Sequence, residues 1–270
     1  MFLLFFPFSF ILGSFAINFN LFLFCCLGIF YLKSKILRTK YDFAIKIIFL
    51  FFLIVFLSST LNVIKSQYFD GYDSDLNLSR FTKSILFFRY FLFLIITYLL
   101  NKCDILDFKY FFLAAAFASI LVSLDIICQY IFGSNIIGLK NPTPSHIETL
   151  PAFNIRNSGF FGNEYIAGGY MQRFAFFAIF SAILLFKNNN YTKFIVPPVI
   201  ICVLGAGILF AGNRMPLILF IFGLLLVFLF NIKIKKIIFI CLISLLILLK
   251  FIMSSHEDYK YRNQLFFLCY

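Results

Sequence analysis

The sequence predicts an all-α, polytopic membrane protein, and three observations predict it. Of its 270 residues, 63% are apolar, more than a soluble core could bury. Long apolar runs recur every few tens of residues, each of the order of 20 residues, which is what a helix needs to cross about 30 Å of hydrocarbon. The ten-residue segments of alternating polarity that mark a membrane barrel are absent. The expectation is a bundle of about eight or nine crossings, with no soluble domain.

Residues 2–32 are apolar and too long for one straight crossing, since 1.5 Å per residue gives roughly 45 Å. Pro7, Gly13 and Asn18 offer places to break, so a bent helix or two short helices are expected. The first basic residue is Lys33. A cleavable signal needs a positive region ahead of its apolar core, so this segment reads as membrane structure.

Charge sets the orientation of the remaining helices. Lys33, Lys35, Arg38, Lys40 and Lys46 stand against Asp42, which makes 33–46 the most basic loop. Cytoplasmic loops collect Lys and Arg, so this one is inside. Helices are then expected near 45–63, 84–100, 110–132, 165–186, 194–212, 216–230 and 237–253. The polar loop 65–83, with Asp70, Asp73 and Asp75, falls outside. Lys102 and Lys109, Lys187 and Lys193, and Lys233, Lys235 and Lys236 fall inside. The loop 134–163, the turn at Arg214 and the tail 254–270 fall outside.

The formal charge of +12 is therefore a matter of orientation. It argues against nucleic acid as a partner, because no soluble basic domain carries it. The seven cysteines (Cys25, Cys26, Cys103, Cys128, Cys202, Cys241 and Cys269) include no CxxC spacing. They read as small core residues rather than as a zinc site or a disulfide framework.

The outer side holds the chemistry. Arg156, Gly159, Phe161, Gly162 and Asn163 lead into the helix expected from Tyr165. Glycines let a ligand approach backbone N–H groups, and a helix N-terminus adds partial positive charge. With an arginine this makes an anion site; an interfacial turn anchored to lipid phosphates is the plain alternative. Arg214 lies in the turn Gly212-Asn213-Arg214-Met215-Pro216 between two apolar helices. Two guanidinium groups facing one cavity suit a diphosphate. Arg173 lies roughly 13 Å into its helix, and so deep a charge is expected to face a cavity or a partner. Asp125 is about as deep, so an Asp125–arginine pair with Arg173 or Arg89 is one expectation and a polar cavity another. Glu164 reads as a partner of the helix dipole. His146 and His256 are candidate general bases, although a lone loop histidine usually has no such role. The catalytic group stays unassigned.

Together, Arg156 with Gly159, Phe161, Asn163 and Ala167, followed by a helix ending in Gly212-Asn213-Arg214, resemble the O-antigen ligase and O-antigen polymerase superfamily of bacterial inner-membrane proteins. The broken apolar N-terminus is similar too. The resemblance covers nearly the whole chain, and its specific motif about sixty residues. It implies a glycosyltransferase that uses a polyprenyl-diphosphate-linked glycan at the periplasmic face, with no metal or soluble cofactor. The acceptor would be lipid A-core or another glycan, with membrane lipids around it. Arg156 and Arg214 would hold the leaving diphosphate, with Gly159, Asn163 and Arg173 beside them.

Two departures stand out. Asn213 replaces the serine usual before the second arginine. The family's large outer loop, with a histidine thought to assist catalysis, would begin about where the sequence ends, and His256 lies too early to match it. Residues 1–253 are thus expected to form the ligase-like membrane region, and 254–270 the start of that loop. A transporter or flippase of lipid-linked glycan, with Arg173, Arg89 and Asp125 lining a path, is the first rival. A truncated, non-catalytic membrane fragment is the second.

Overall fold

The computed structural model describes residues 2–33, 39–68, 74–139, 157–162, 164–186, 190–230 and 234–255. They are helical and joined by short turns, with no strand among them. In order, the helices are α1 (Phe2–Leu12), α2 (Ser14–Leu32), α3 (Phe43–Tyr68), α4 (Ser74–Lys102), α5 (Phe108–Phe132), α6 (Ala167–Leu185), α7 (Asn190–Phe210), α8 (Arg214–Phe230) and α9 (Lys235–Ser255). Five have the length and composition to cross a membrane, in α2 to α6; Leu3–Leu12, Phe194–Phe210 and Met215–Phe230 are shorter apolar helices.

The N-terminal run is two helices, and Gly13 divides them. Its φ of +100° lies in a region that only glycine enters without strain. Pro7 sits inside α1 and Asn18 inside α2, so neither breaks the chain. Most of the segment expected as a polar loop at 65–83 is also helix. α3 runs on to Tyr68 and α4 begins at Ser74. At 29 residues, α4 is longer than the hydrocarbon layer requires. Its polar first turns keep helical hydrogen bonding beyond that layer, which is why composition alone reads them as loop.

The chain divides into two compact units. One comprises 3–16 and 108–270; the other comprises 17–107. The larger unit has a core of small and branched residues. Ala115, Ala118, Val122 and Ile126 of α5 meet Ala167, Met171, Ala175 and Ala178 of α6, and Ile201, Leu204 and Ile208 of α7. Small side chains let helix backbones approach closely, the main source of cohesion where lipid is as apolar as the core. α1 joins this unit through Tyr170, whose hydroxyl donates to the Pro7 carbonyl at 2.9 Å. Phe10 lies against Phe174 at 5.8 Å between ring centroids.

The smaller unit is held by rings. Phe52 of α3 stacks on Phe87 of α4 at 4.8 Å and meets Phe91 at 5.3 Å. Phe49 lies 5.3 Å from Phe91, and Phe56 lies 5.8 Å from Phe81, so α3 and α4 run antiparallel. Ile96 occupies the space above Gly28, where α2 meets α4. α4 ends in a Schellman motif, with Ile105 N–H donating to the Leu100 carbonyl and Asp104 N–H to that of Asn101. Asp104 takes the left-handed position, φ +55°, which aspartate tolerates better than most residues.

Candidate functional site

The site sought in the sequence lies at the end of the larger unit where α5 and α7 finish and α6 and α8 begin. Polar side chains in α5 build it. Asp125 and Gln129 are four residues apart, hence on one face of the helix, and both are buried. The Asp125 Oδ1 accepts the Ile136 N–H at 2.9 Å, which turns the chain back at the end of α5. Gln129 Oε1 accepts the Gly159 N–H at 2.7 Å, and Asn135 Nδ2 donates to the Gly159 carbonyl at 3.2 Å. Asn135 also accepts from the N–H groups of Ile137 and Leu139, at 3.1 and 2.7 Å. Both backbone groups of Gly159 are thus clasped by side chains at the end of α5.

Only glycine fits there. Gly159 has φ +56°, and an added Cβ would lie 2.7 Å from Asp125 Oδ2 and 2.9 Å from Ile126 Cδ1. The sequence suggested a glycine whose N–H is open to a ligand. Instead Gly159 is buried and its N–H is engaged, so its part is to seat the turn Gly159–Phe161 against α5.

Two further asparagines tie the other helices to this end. Asn157 Nδ2 donates to the Phe210 carbonyl at the end of α7, at 2.7 Å. Asn213, just ahead of α8, donates through Nδ2 to the Tyr165 carbonyl at 2.9 Å. Tyr130 of α5 stacks on Phe210 of α7 at 4.1 Å between centroids. These contacts bring the residue after Arg156 and the residue before Arg214 to the same end of the unit.

Arg156, Asn163, His146 and His256 lie outside the described residues. The backbone of Arg214 opens α8, and Pro216 falls in its first turn, where a missing N–H costs nothing. Arg173 is exposed on α6. Among the described residues, Asp125 is met by the backbone N–H of Ile136 rather than by an arginine. Arg89, in the smaller unit, stacks on Tyr90 at 4.9 Å. Glu164 lies two residues ahead of Ile166, the N-cap of α6, and outside the first turn of that helix. Cys25 and Cys241 are buried, whereas Cys26 is exposed; all the described cysteines are free thiols.

Sequence reasoning missed Gln129, Asn135, Asn157 and the bond made by Asn213. One signal was available. An amide four residues after a carboxylate, inside an apolar run, marks a polar face that must find partners.

The arrangement is a buried polar network with two arginine positions beside it in the chain, and next to it Phe161 packs on Tyr170 at 5.4 Å between centroids. It defines a class, an all-helical protein with several apolar helices of membrane-crossing length. No protein-family model, no curated protein and no solved structure matches the chain.

Proposed function

We propose that the chain is a membrane glycosyltransferase of the O-antigen ligase and polymerase type. It acts at the periplasmic face of a bacterial inner membrane, in which its apolar helices lie, five of them of crossing length among the described residues. Its donor is a polyprenyl-diphosphate-linked glycan, and its acceptor is lipid A-core or another glycan. The supporting observation is the pair of asparagine bonds, Asn157 to Phe210 and Asn213 to Tyr165, which join the chain beside Arg156 to the chain beside Arg214.

In this reading an acceptor hydroxyl oxygen attacks the anomeric carbon. The bond from that carbon to the diphosphate oxygen breaks, and its electron pair leaves with the diphosphate. The guanidinium groups of Arg156 and Arg214 hold the diphosphate and offset its developing charge, a contribution that grows where water is excluded. The acceptor proton passes to a base that this chain does not identify. Gly159 positions the arginine-bearing segment, and Asn163 and Arg173 line the approach.

The test uses the full chain in nanodiscs with a fluorescent polyprenyl-diphosphate oligosaccharide and a lipid A-core acceptor. Binding should weaken about tenfold in Arg156→Gln and again in Arg214→Gln, and transfer should fall with it. Undiminished binding in the double variant would overturn the diphosphate assignment. Arginine-dependent binding without transfer would favour the inactive-fragment reading. Movement of the labelled lipid across a vesicle bilayer without transfer would favour the transporter.

A further inference from the structure

The smaller unit holds a cavity with a different chemistry. It is an open groove of about 760 Å³ lined by Lys40, Tyr41, Lys46, Phe49, Phe91 and Ile95, among others. That is within the range of small-molecule pockets. Its polarity is graded. Lys40, Tyr41 and Lys46 gather where α3 begins, Ile95 of α4 lies at about the level of Ile45, and Phe49 and Phe91, 5.3 Å apart, lie farther from the lysines.

Charge at the mouth is unbalanced. Lys102, at the end of α4, reaches the Lys40 carbonyl at 3.5 Å and brings a third ammonium to the same place. A carboxylate close by, Asp42, accepts the Tyr98 hydroxyl at 2.7 Å. Tyr98 in turn lies beneath Lys102, 5.6 Å from ring centroid to Nζ, and beside Tyr41 at 6.4 Å between rings. Asp42 is thus part of the frame that orders this corner, where Lys40, Lys46 and Lys102 stand against it. The first N–H groups of α3 add partial positive charge on the same side.

From this geometry we propose that the cavity binds a phospholipid of net negative headgroup. Its phosphate sits among Lys40, Lys46 and Lys102, and the start of an acyl chain lies along Phe49, Phe91 and Ile95. An ammonium is a compact charge suited to phosphate oxygens. Basic pockets between membrane helices favour anionic headgroups for this reason. A zwitterionic lipid would bring its own cation against the lysines and lose much of that attraction. The proposal stands independently of the glycosyltransferase reading, since it uses none of the same residues.

The full chain is placed in nanodiscs containing equal amounts of phosphatidylglycerol and phosphatidylcholine. The lipid retained after transfer to detergent is then measured by native mass spectrometry. Phosphatidylglycerol should be retained about tenfold over phosphatidylcholine. Lys40→Gln with Lys46→Gln should bring the ratio near one. Ile95→Trp fills the apolar half without changing charge and should reduce retention of both lipids. Lys235→Gln with Lys236→Gln, which removes exposed charge from the larger unit, should leave the ratio unchanged. Helical circular dichroism checks that each variant is folded. Equal retention of the two lipids by the unsubstituted chain would overturn the proposal. So would a control pair that lowers the ratio as far as the Lys40 and Lys46 pair does, because surface charge in general would then suffice.

Discussion

The two units solve the same problem in opposite ways. In the larger one, about half of the apolar stretches of α5 and α6 is buried, 50% and 56%. In the smaller one, the corresponding figures for α3 and α4 are 6% and 22%. The larger unit adds directional bonds to its packing, from Gln129 of α5 and Asn135 just after it to the backbone of Gly159, and from the Ile136 N–H to Asp125. The smaller relies on a ladder of phenylalanines between two long helices. Stacked rings tolerate small rotations, whereas a glycine held through both its backbone groups does not.

That contrast can be broken most forcefully at Gly159. Gly159→Ala meets Asp125 and Ile126 and also requires a left-handed backbone. It should destabilise the larger unit by about 2–4 kcal/mol. Gly138 has a comparable positive φ of +89° with nothing within 4 Å of the added carbon. Gly138→Ala should therefore cost only the backbone term, about 1 kcal/mol. Detergent-driven unfolding followed by circular dichroism measures both, and equal losses would mean that the clasp contributes no packing. Next comes the ring ladder. Phe52→Ala removes contacts with Phe87, Phe88 and Phe91 and should cost about 1–2 kcal/mol. The smallest effect is expected at Ser123, whose hydroxyl donates to the Val203 carbonyl at 2.6 Å and links α5 to α7. Ser123→Ala should cost about 0.6 kcal/mol, as such bonds between membrane helices commonly do. A much larger loss would mark Ser123 as a member of the Asp125 and Gln129 network.

Much of the fold was legible in the sequence because apolar length and charge alternation act locally. The ends of α5, α8 and α9 fall within a few residues of where these signals put them. The Gly13 break was readable as one of three candidates, and backbone freedom explains why glycine prevailed over Pro7 and Asn18. The helical ends of α3 and α4 were not readable, since Ser, Asn and Lys suit a solvated helix as well as a loop. The clasp was half readable. Asp125 and Gln129 announce a polar face, but their partners lie beyond the reach of any periodicity. Gly159 is 30 residues from Gln129 in sequence. The motif around Arg156 suggested an open glycine where the chain has a packed one.

The bond between Tyr170 and Pro7 also bears on the order of assembly. Its partners are separated by 163 residues. At a synthesis rate of roughly 5–20 residues per second, the ribosome needs about 10–30 s to travel that distance. During that interval α1 has no completed seat, while α3 and α4 emerge consecutively and can pair as a hairpin. The early helix is therefore the one that must wait for the insertion machinery to deliver its neighbours, and its docking reports that α6 has arrived.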